Sequence, residues 1–131
     1  MRVVVAIIYD VLQRILITQR PLHVSQGGFW EFPGGKVEAT ETAEAAIIRE
    51  IKEELGLVVL NPILLGKIQH QYPDMHLQLI IYKVRQFSGN PMCLAGQLAF
   101  KWMPFSELNP KDFPQANQAI FEMLYPNLSM V

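Results

Sequence analysis

Runs of apolar residues predict several β-strands along the chain. Residues 3–9 are continuously apolar and rich in β-branched side chains, which is typical of a strand covered on both faces. After a turn over residues 10–14, residues 15–18 are predicted to form a partner strand. Further strands are predicted over residues 63–69, 76–84 and 97–103, with a turn at Tyr72-Pro73-Asp74 between the first two.

Apolar residues three or four positions apart predict two helices. The first covers residues 43–55, with Thr42 or Thr40 as its N-cap and Gly56 as its end. The second begins at Pro114, because proline is favoured in the first turn of a helix. Strands interrupted by two helices, the first of them in mid-chain, predict an α/β (α+β) fold with a mixed sheet between helices.

Length and charge narrow the class of protein. The chain has 131 residues, enough for one domain over residues 1–131, with 11 basic and 12 acidic side chains. A net charge of −1 argues against sequence-independent binding of nucleic acid, which needs a basic surface. The single cysteine excludes a disulfide within the chain, and no apolar run approaches the roughly 20 residues of a membrane span. We therefore expect a soluble, cytoplasmic protein without a membrane partner.

Three glutamates crowd one side of the first predicted helix. At about 100° per residue, Glu50, Glu53 and Glu54 occupy an arc about 100° wide that borders the apolar stripe. The same geometry places Arg49 and Lys52 on the side of the helix away from that stripe. An ordinary amphipathic helix keeps its carboxylates away from the apolar stripe. Each pair of like charges costs about 0.2–0.5 kcal/mol on a bare helix, and more when it is partly buried.

Two interpretations explain this crowding. A hard divalent cation would offset the repulsion, because Mg²⁺ prefers oxygen ligands and shares its coordination shell between carboxylates and substrate phosphates. Alternatively, the glutamates form a solvated acidic face that is balanced by the neighbouring basic side chains. The helix by itself leaves both interpretations open.

The residues around this helix follow a spacing that favours the cation. Gly35 is followed by Glu41, and then come Arg49-Glu50-Ile51, Glu53-Glu54 and Gly56-Leu57. This pattern resembles the Nudix box, complete and without a gap over residues 35–57. The flanking segments 31–36 (EFPGGK) and 113–117 (FPQAN) are similar to segments of the MutT-like members of that family.

The resemblance implies a Nudix-type α/β/α sandwich and a hydrolase that cleaves a nucleoside diphosphate linked to another group. The expected cofactor is Mg²⁺, with Mn²⁺ as an alternative, held by Glu50, Glu53, Glu54 and the backbone carbonyl of Gly34. Glu50 would also help to deprotonate the attacking water, although Glu53 is an open alternative as the general base. Arg49 would orient the glutamates. A nucleoside triphosphate would yield the monophosphate and pyrophosphate.

Three further residues are candidates for binding the nucleotide. By resemblance, Arg20 would clamp a phosphate, the alternative being an exposed surface arginine. Phe32 would flank the base or belong to the core. Asn117 can accept a hydrogen bond from N7–H of 8-oxoguanine and donate one to O6, whereas ordinary guanine presents two acceptors. Cytosine satisfies the same amide, so a modified dCTP is a competing substrate, and a surface or capping role for Asn117 is the alternative.

Two positions depart from the pattern of MutT-like relatives. Ala95 precedes Gly96-Gln97 where such relatives place a glutamate as an extra metal ligand, and Met75 stands where they can carry an arginine. The number of metal ions is therefore open, with Gln97, a water or another carboxylate as possible replacements. Other nucleoside-diphosphate substrates and a non-catalytic nucleotide-binding module remain rival functions, and the expected assembly is a monomer or a homodimer.

Overall fold

The computed structural model describes residues 1–129. This part of the chain forms nine strands and two α-helices. The strands are β1 (Arg2–Ile8), β2 (Arg14–Gln19), β3 (Trp30–Glu31), β4 (Gly34–Lys36), β5 (Val58–Leu60), β6 (Ile63–Tyr72), β7 (Met75–Val84), β8 (Gln86–Ser88) and β9 (Ala99–Pro104), and the helices are α1 (Ala43–Leu55) and α2 (Gln118–Ser129). Neither helix is long and apolar enough to cross a membrane within the described residues.

The largest sheet has the strand order β4-β1-β7-β6 and is mixed. Strand β1 runs parallel to β7, whereas it pairs with β4 in the antiparallel direction, so that Val5 lies opposite both Ile81 and Gly34. Strands β6 and β7 form a hairpin in which Tyr72 pairs with Met75 across a two-residue turn. Two smaller sheets, β3-β2-β9 and β5-β8, complete the strand pairing.

The large sheet separates two hydrophobic cores. Alternate residues of β1 point to opposite faces, as the two-residue period of a strand requires. Val5 and Ile7 belong to the core that contains α2, and Val4, Ala6 and Ile8 belong to the core that contains α1. This is an α/β/α sandwich with a mixed sheet, as the sequence predicted, and β1 is covered on both faces.

Helix α1 matches its prediction, whereas α2 does not begin where expected. The Thr42 Oγ1 atom accepts a hydrogen bond from the Ala45 N–H at 3.1 Å, and Gly56 ends the helix in the left-handed conformation at φ 73°. The predicted start of the second helix at Pro114 is wrong. Pro114 has an extended ψ of 150° and precedes a 3-10 turn over Gln115–Asn117, so that α2 begins only at Gln118.

Candidate active site

A cavity of about 330 Å³ lies at the β4 edge of the large sheet, between the end of α1 and the 3-10 turn before α2. Five of the predicted site residues line it together with Glu31, which the sequence analysis had not assigned a role. These lining residues are Arg20, Glu31, Phe32, Gly34, Glu54 and Asn117. The structure therefore brings residues that are almost 100 positions apart in the chain into one pocket.

Two glycines allow the acidic end of α1 to approach the sheet. A Cβ atom on Gly34 would lie 1.9 Å from the backbone oxygen of Val4, so only glycine lets β4 pair this closely with β1. A Cβ atom on Gly35 would lie 2.3 Å from Oε2 of Glu50. The Glu50 carboxylate thus occupies the space that a side chain at position 35 would need.

Arg49 lies among the acidic side chains of α1. Helical angles place it away from the apolar stripe and only about 40° from Glu53, four positions further on, with which it forms an ion pair. Its Nη1 atom donates to Glu50 Oε1 at 2.9 Å and to Glu53 Oε2 at 3.2 Å. Its Nε atom donates to Glu41 Oε2 at 3.0 Å, and Nη2 donates to the backbone oxygen of Lys36 at 3.1 Å. These four acceptors, three of them carboxylates, surround the guanidinium on one side of the helix.

This network changes the protonation equilibria of its members. Hydrogen bonds from Arg49 lower the pKa of Glu41 to about 2, and the Glu38 N–H acts in the same direction. The hydrogen bond to Glu41 raises the pKa of Arg49 above its already high value. Glu41 and Arg49 are therefore both charged at any ordinary pH, and Arg49 is a permanent partner for the glutamates of α1.

Glu54 is the most perturbed acid of the site. Burial raises its pKa to about 8, because desolvation penalises the carboxylate, and the negative charges of Glu50 and Glu31 act in the same direction. The side chains of Glu54 and Glu50 also share a hydrogen bond, whereas the Gly34 backbone hydrogen bond opposes the shift. Without a cation, Glu54 therefore keeps its proton at neutral pH.

This perturbation predicts how stability depends on pH in the absence of divalent ions. Because the pKa of folded Glu54, about 8, exceeds its ordinary value of 4.5, its contribution to stability is full below pH 4.5 and is lost as pH rises through 8. In EDTA, the free energy of unfolding of the wild type should fall more between pH 5 and pH 9 than that of Glu54→Gln. Urea denaturation at several pH values measures this difference.

The exposed acid Glu122 on α2 provides the matched control for the loss of one charge. Glu122→Gln should retain the wild-type fall in the free energy of unfolding with pH. If the free energy of unfolding of Glu54→Gln fell with pH as steeply as that of the wild type, the raised pKa could not belong to Glu54.

The acidic end of α1 has the donor type that a hard divalent cation needs, although its side chains are not arranged around one. Across residues 1–129, no three His, Cys, Asp or Glu side chains converge as metal ligands, and Glu53 binds Arg49. Glu50 and Glu54 nevertheless supply two adjacent carboxyl groups, and a cation can replace the proton that Glu54 holds. The residues present therefore fit a Mg²⁺-type ion.

Gln97 is occupied by backbone contacts and does not fit the role of a replacement metal ligand. Its Oε1 atom accepts a hydrogen bond from the Ala95 N–H at 2.8 Å, and its Nε2 atom donates to the Glu54 backbone oxygen at 3.1 Å. The Leu94 N–H donates to the same oxygen at 3.0 Å. These bonds give the carbonyl oxygen of Glu54, in the last turn of α1, its hydrogen-bond donors. They also attach the loop before β9 to the helix. Besides Glu54, the acid that lines the cavity is Glu31.

The candidate nucleotide-binding residues differ in how firmly they are held. Arg20 lines the cavity, where its Nη1 atom donates to Glu31 Oε2 at 2.8 Å, so it is not an isolated surface arginine. Phe32 is 4% exposed and stacks on Phe113 with ring centroids 5.1 Å apart, so it belongs to the core as well as to the cavity wall. Asn117 is half-buried and faces the cavity from the 3-10 turn.

Sequence reasoning missed Glu31 because its neighbour in space is remote in sequence. Glu31 pairs with Thr18 in the β2–β3 ladder, which brings its carboxylate to Arg20. Its position in the EFPGGK segment marked it only as part of a motif. Strand β3 is only two residues long, so its pairing with β2, which brings Glu31 to Arg20, could not be predicted from the sequence.

Comparison with known proteins agrees with the fold and the motif. Residues 3–123 match the NUDIX domain family, so the chain belongs to the Nudix family of hydrolases. Over 124 residues it is 36% identical to the 8-oxo-dGTP diphosphatase of Escherichia coli, with 95% of each chain covered. It is also 34% identical to the CTP pyrophosphohydrolase of the same organism, with 85% of each chain covered.

A solved structure extends the comparison to the fold. A MutT structure from a study of the Aliivibrio salmonicida and Vibrio cholerae proteins matches with a TM-score of 0.80 and 34% identity, covering 97% of this chain and 99% of the other. The chain is thus a Nudix hydrolase with a MutT-like fold, in a family whose members generally use divalent metal ions and nucleotide substrates.

Proposed function

We propose that this single-domain protein hydrolyses 8-oxo-dGTP to 8-oxo-dGMP and pyrophosphate and so removes oxidised nucleotides from the cytoplasmic pool. The observation that carries the proposal is the cavity, which joins an arginine, an aromatic wall and an amide to the acidic end of α1. Diphosphatases of this specificity are among the relatives that match nearly the whole chain.

The acidic end of the cavity is proposed to hold Mg²⁺, or Mn²⁺, through Glu50, Glu53, Glu54 and the backbone carbonyl of Gly34. Glu53 must leave Arg49 to join this set, and its side chain is 60% exposed and free to turn. When bound, the ion lowers the pKa of water and offsets the charge of the phosphates. Glu50 would then accept the proton of the attacking water, with Glu53 as the alternative base, and Arg49 orients Glu50 through its hydrogen bond to Oε1.

The rest of the cavity is proposed to bind the nucleotide. Arg20 contacts a phosphate, Phe32 flanks the base, and Asn117 accepts from N7–H and donates to O6 of the oxidised purine. With plain dGTP, an acceptor of the amide faces the N7 acceptor, and an unpaired buried polar group of this kind is strongly disfavoured. The amide therefore supplies the discrimination against the normal nucleotide.

Replacement of Asn117 by Ala tests this readout. We expect the ratio of kcat/KM for 8-oxo-dGTP to that for dGTP to fall by about 10–100-fold, because the variant loses the two hydrogen bonds that distinguish the bases. Steady-state release of pyrophosphate with Mg²⁺ measures both values. Gln115, exposed in the same 3-10 turn, provides the control, and Gln115→Ala should leave the ratio unchanged. A wild-type ratio near one would reject the readout by Asn117.

A modified cytidine triphosphate is the second candidate substrate. The CTP pyrophosphohydrolase among the relatives supports it, and the N3 acceptor and N4 donor of cytosine also satisfy the Asn117 amide. A higher kcat/KM for a 5-substituted dCTP than for 8-oxo-dGTP would favour this alternative. Release of orthophosphate in place of pyrophosphate would contradict both candidates.

We further propose that the protein works as a monomer or homodimer on free nucleotides, without a nucleic-acid partner. Its net charge of −1 supports this, because binding to a nucleic-acid backbone requires an excess of basic side chains. A retained catalytic glutamate set also speaks against a purely nucleotide-sensing module.

A further inference from the structure

We infer that Glu31 is a positioning residue that holds the Arg20 guanidinium in place to receive phosphate oxygens. The inference rests on the proposed function in one respect, that Arg20 is the group that contacts phosphate. It assigns Glu31 a role through Arg20 and not as a ligand of the cation.

The β2–β3 pairing brings the two residues together. Thr18 lies opposite Glu31 and Gln19 opposite Trp30, so Arg20 leaves β2 beside the start of β3. The Arg20 Nη1 atom donates to Glu31 Oε2 at 2.8 Å, and the two side chains are 28% and 31% exposed. The pair is thus only partly open to solvent, which makes it stronger than an ordinary surface ion pair.

A second contact fixes the other side of the guanidinium. The Arg20 Nε atom donates to the backbone oxygen of Ser25 at 2.9 Å, from the loop between β2 and β3. That loop is tightly folded, since a Cβ atom on Gly27 would lie 2.4 Å from the Leu22 backbone oxygen. Within the described residues, Nη2 of Arg20 has no hydrogen-bond partner. An anchored arginine with one open edge loses little side-chain entropy when it binds an anion.

Glu31 has two opposing effects on an anion in the cavity. Its contact with Arg20 orders the cation, whereas its negative charge repels phosphate. Substitutions separate the two effects, because glutamine keeps an acceptor oxygen for Arg20 without the charge, and alanine removes both. If Glu31 positions Arg20, the affinity for the anion should fall in Glu31→Ala and should be largely retained in Glu31→Gln.

The test measures the binding of imidodiphosphate, a pyrophosphate analogue that resists hydrolysis, at a fixed Mn²⁺ concentration by isothermal titration calorimetry. We expect Glu31→Ala to weaken binding about fivefold, as is typical for loss of a partly buried ion pair, and Glu31→Gln to remain within about twofold of the wild type. In the Arg20→Ala background, neither substitution should weaken binding further, and the loss of the repelling charge should make binding equal or tighter. Glu122→Ala controls for net charge.

Each other outcome overturns the inference. Tighter binding in both Glu31 variants would show that repulsion dominates, and additive effects of Arg20→Ala and Glu31→Ala would show that Glu31 does not act through Arg20. A loss of Mn²⁺ affinity in Glu31→Gln without the analogue, measured by electron paramagnetic resonance, would identify Glu31 as a metal ligand. Because the probe carries no base, failure of the wild type to hydrolyse 8-oxo-dGTP would reject the proposed substrate and leave this coupling intact.

Discussion

Glu50→Gln is expected to lower kcat by about a thousandfold with little change in the fold. The substitution removes the charge that holds the cation and the base that accepts the proton from water, and general-base catalysis alone contributes about 10²–10⁴-fold. The glutamine amide keeps the size of the side chain and can still accept a hydrogen bond from Arg49, which lies 2.9 Å from Glu50 Oε1. Pyrophosphate release under saturating nucleotide measures the effect.

Glu44, exposed in the first turn of the same helix, provides the matched control for Glu50. Glu44→Gln makes the same change of charge and should retain wild-type kcat. Unchanged turnover in Glu50→Gln would remove Glu50 from the catalytic machinery. A loss accompanied by unfolding, measured by circular dichroism, would instead indicate a structural role.

Gly35→Ala is expected to reduce kcat/KM by about a hundredfold. The new Cβ atom would lie 2.3 Å from Glu50 Oε2, so the carboxylate must move, and a displacement of about 1 Å at a reacting group costs about 10²-fold in rate. The same overlap should lower the free energy of unfolding by about 1–3 kcal/mol. Steady-state kinetics and urea denaturation of the same variant measure the two effects.

Glu50, whose carboxylate the new Cβ atom at position 35 would meet, supplies the control for this second prediction. In a Glu50→Ala background the carboxylate is absent, so Gly35→Ala should no longer cost stability. An equal cost in both backgrounds would mean that position 35 is sensitive for a reason other than Glu50. The pair of predictions thus tests whether the close approach of strand β4 and helix α1 is what orders the catalytic carboxylate.

Much of the site could be predicted because the residues of the Nudix box are close in sequence. The helix that carries Glu50, Glu53 and Glu54 has its own N-cap at Thr42 and ends at Gly56, so its register follows from local interactions. The spacing of the acids on one helix then places them on one side without any knowledge of the fold. The same local logic identified β1 as a strand covered on both faces.

Predictions failed or stopped short where a residue's environment comes from a distant part of the chain. The hydrogen bonds of Arg49 to Glu41 and to the Lys36 carbonyl were not predicted, because both acceptors lie in the segment before the helix. The start of α2 was predicted too early for a local reason: Pro114 adopts an extended ψ of 150°, a conformation that proline favours as much as the first turn of a helix. Glu31 had no assignable role until strand pairing brought it to Arg20.

The amino-acid sequence by itself determined the family, the acidic helix and its end signals, because those depend on residues within a few turns of one another. Only the tertiary structure decided that Arg20, Phe32 and Asn117 share one cavity with Glu54, and that Glu54 is buried enough to keep its proton. The reason is physical: desolvation and contact depend on the atoms that surround a group in space, and here those atoms come from segments up to about a hundred residues apart.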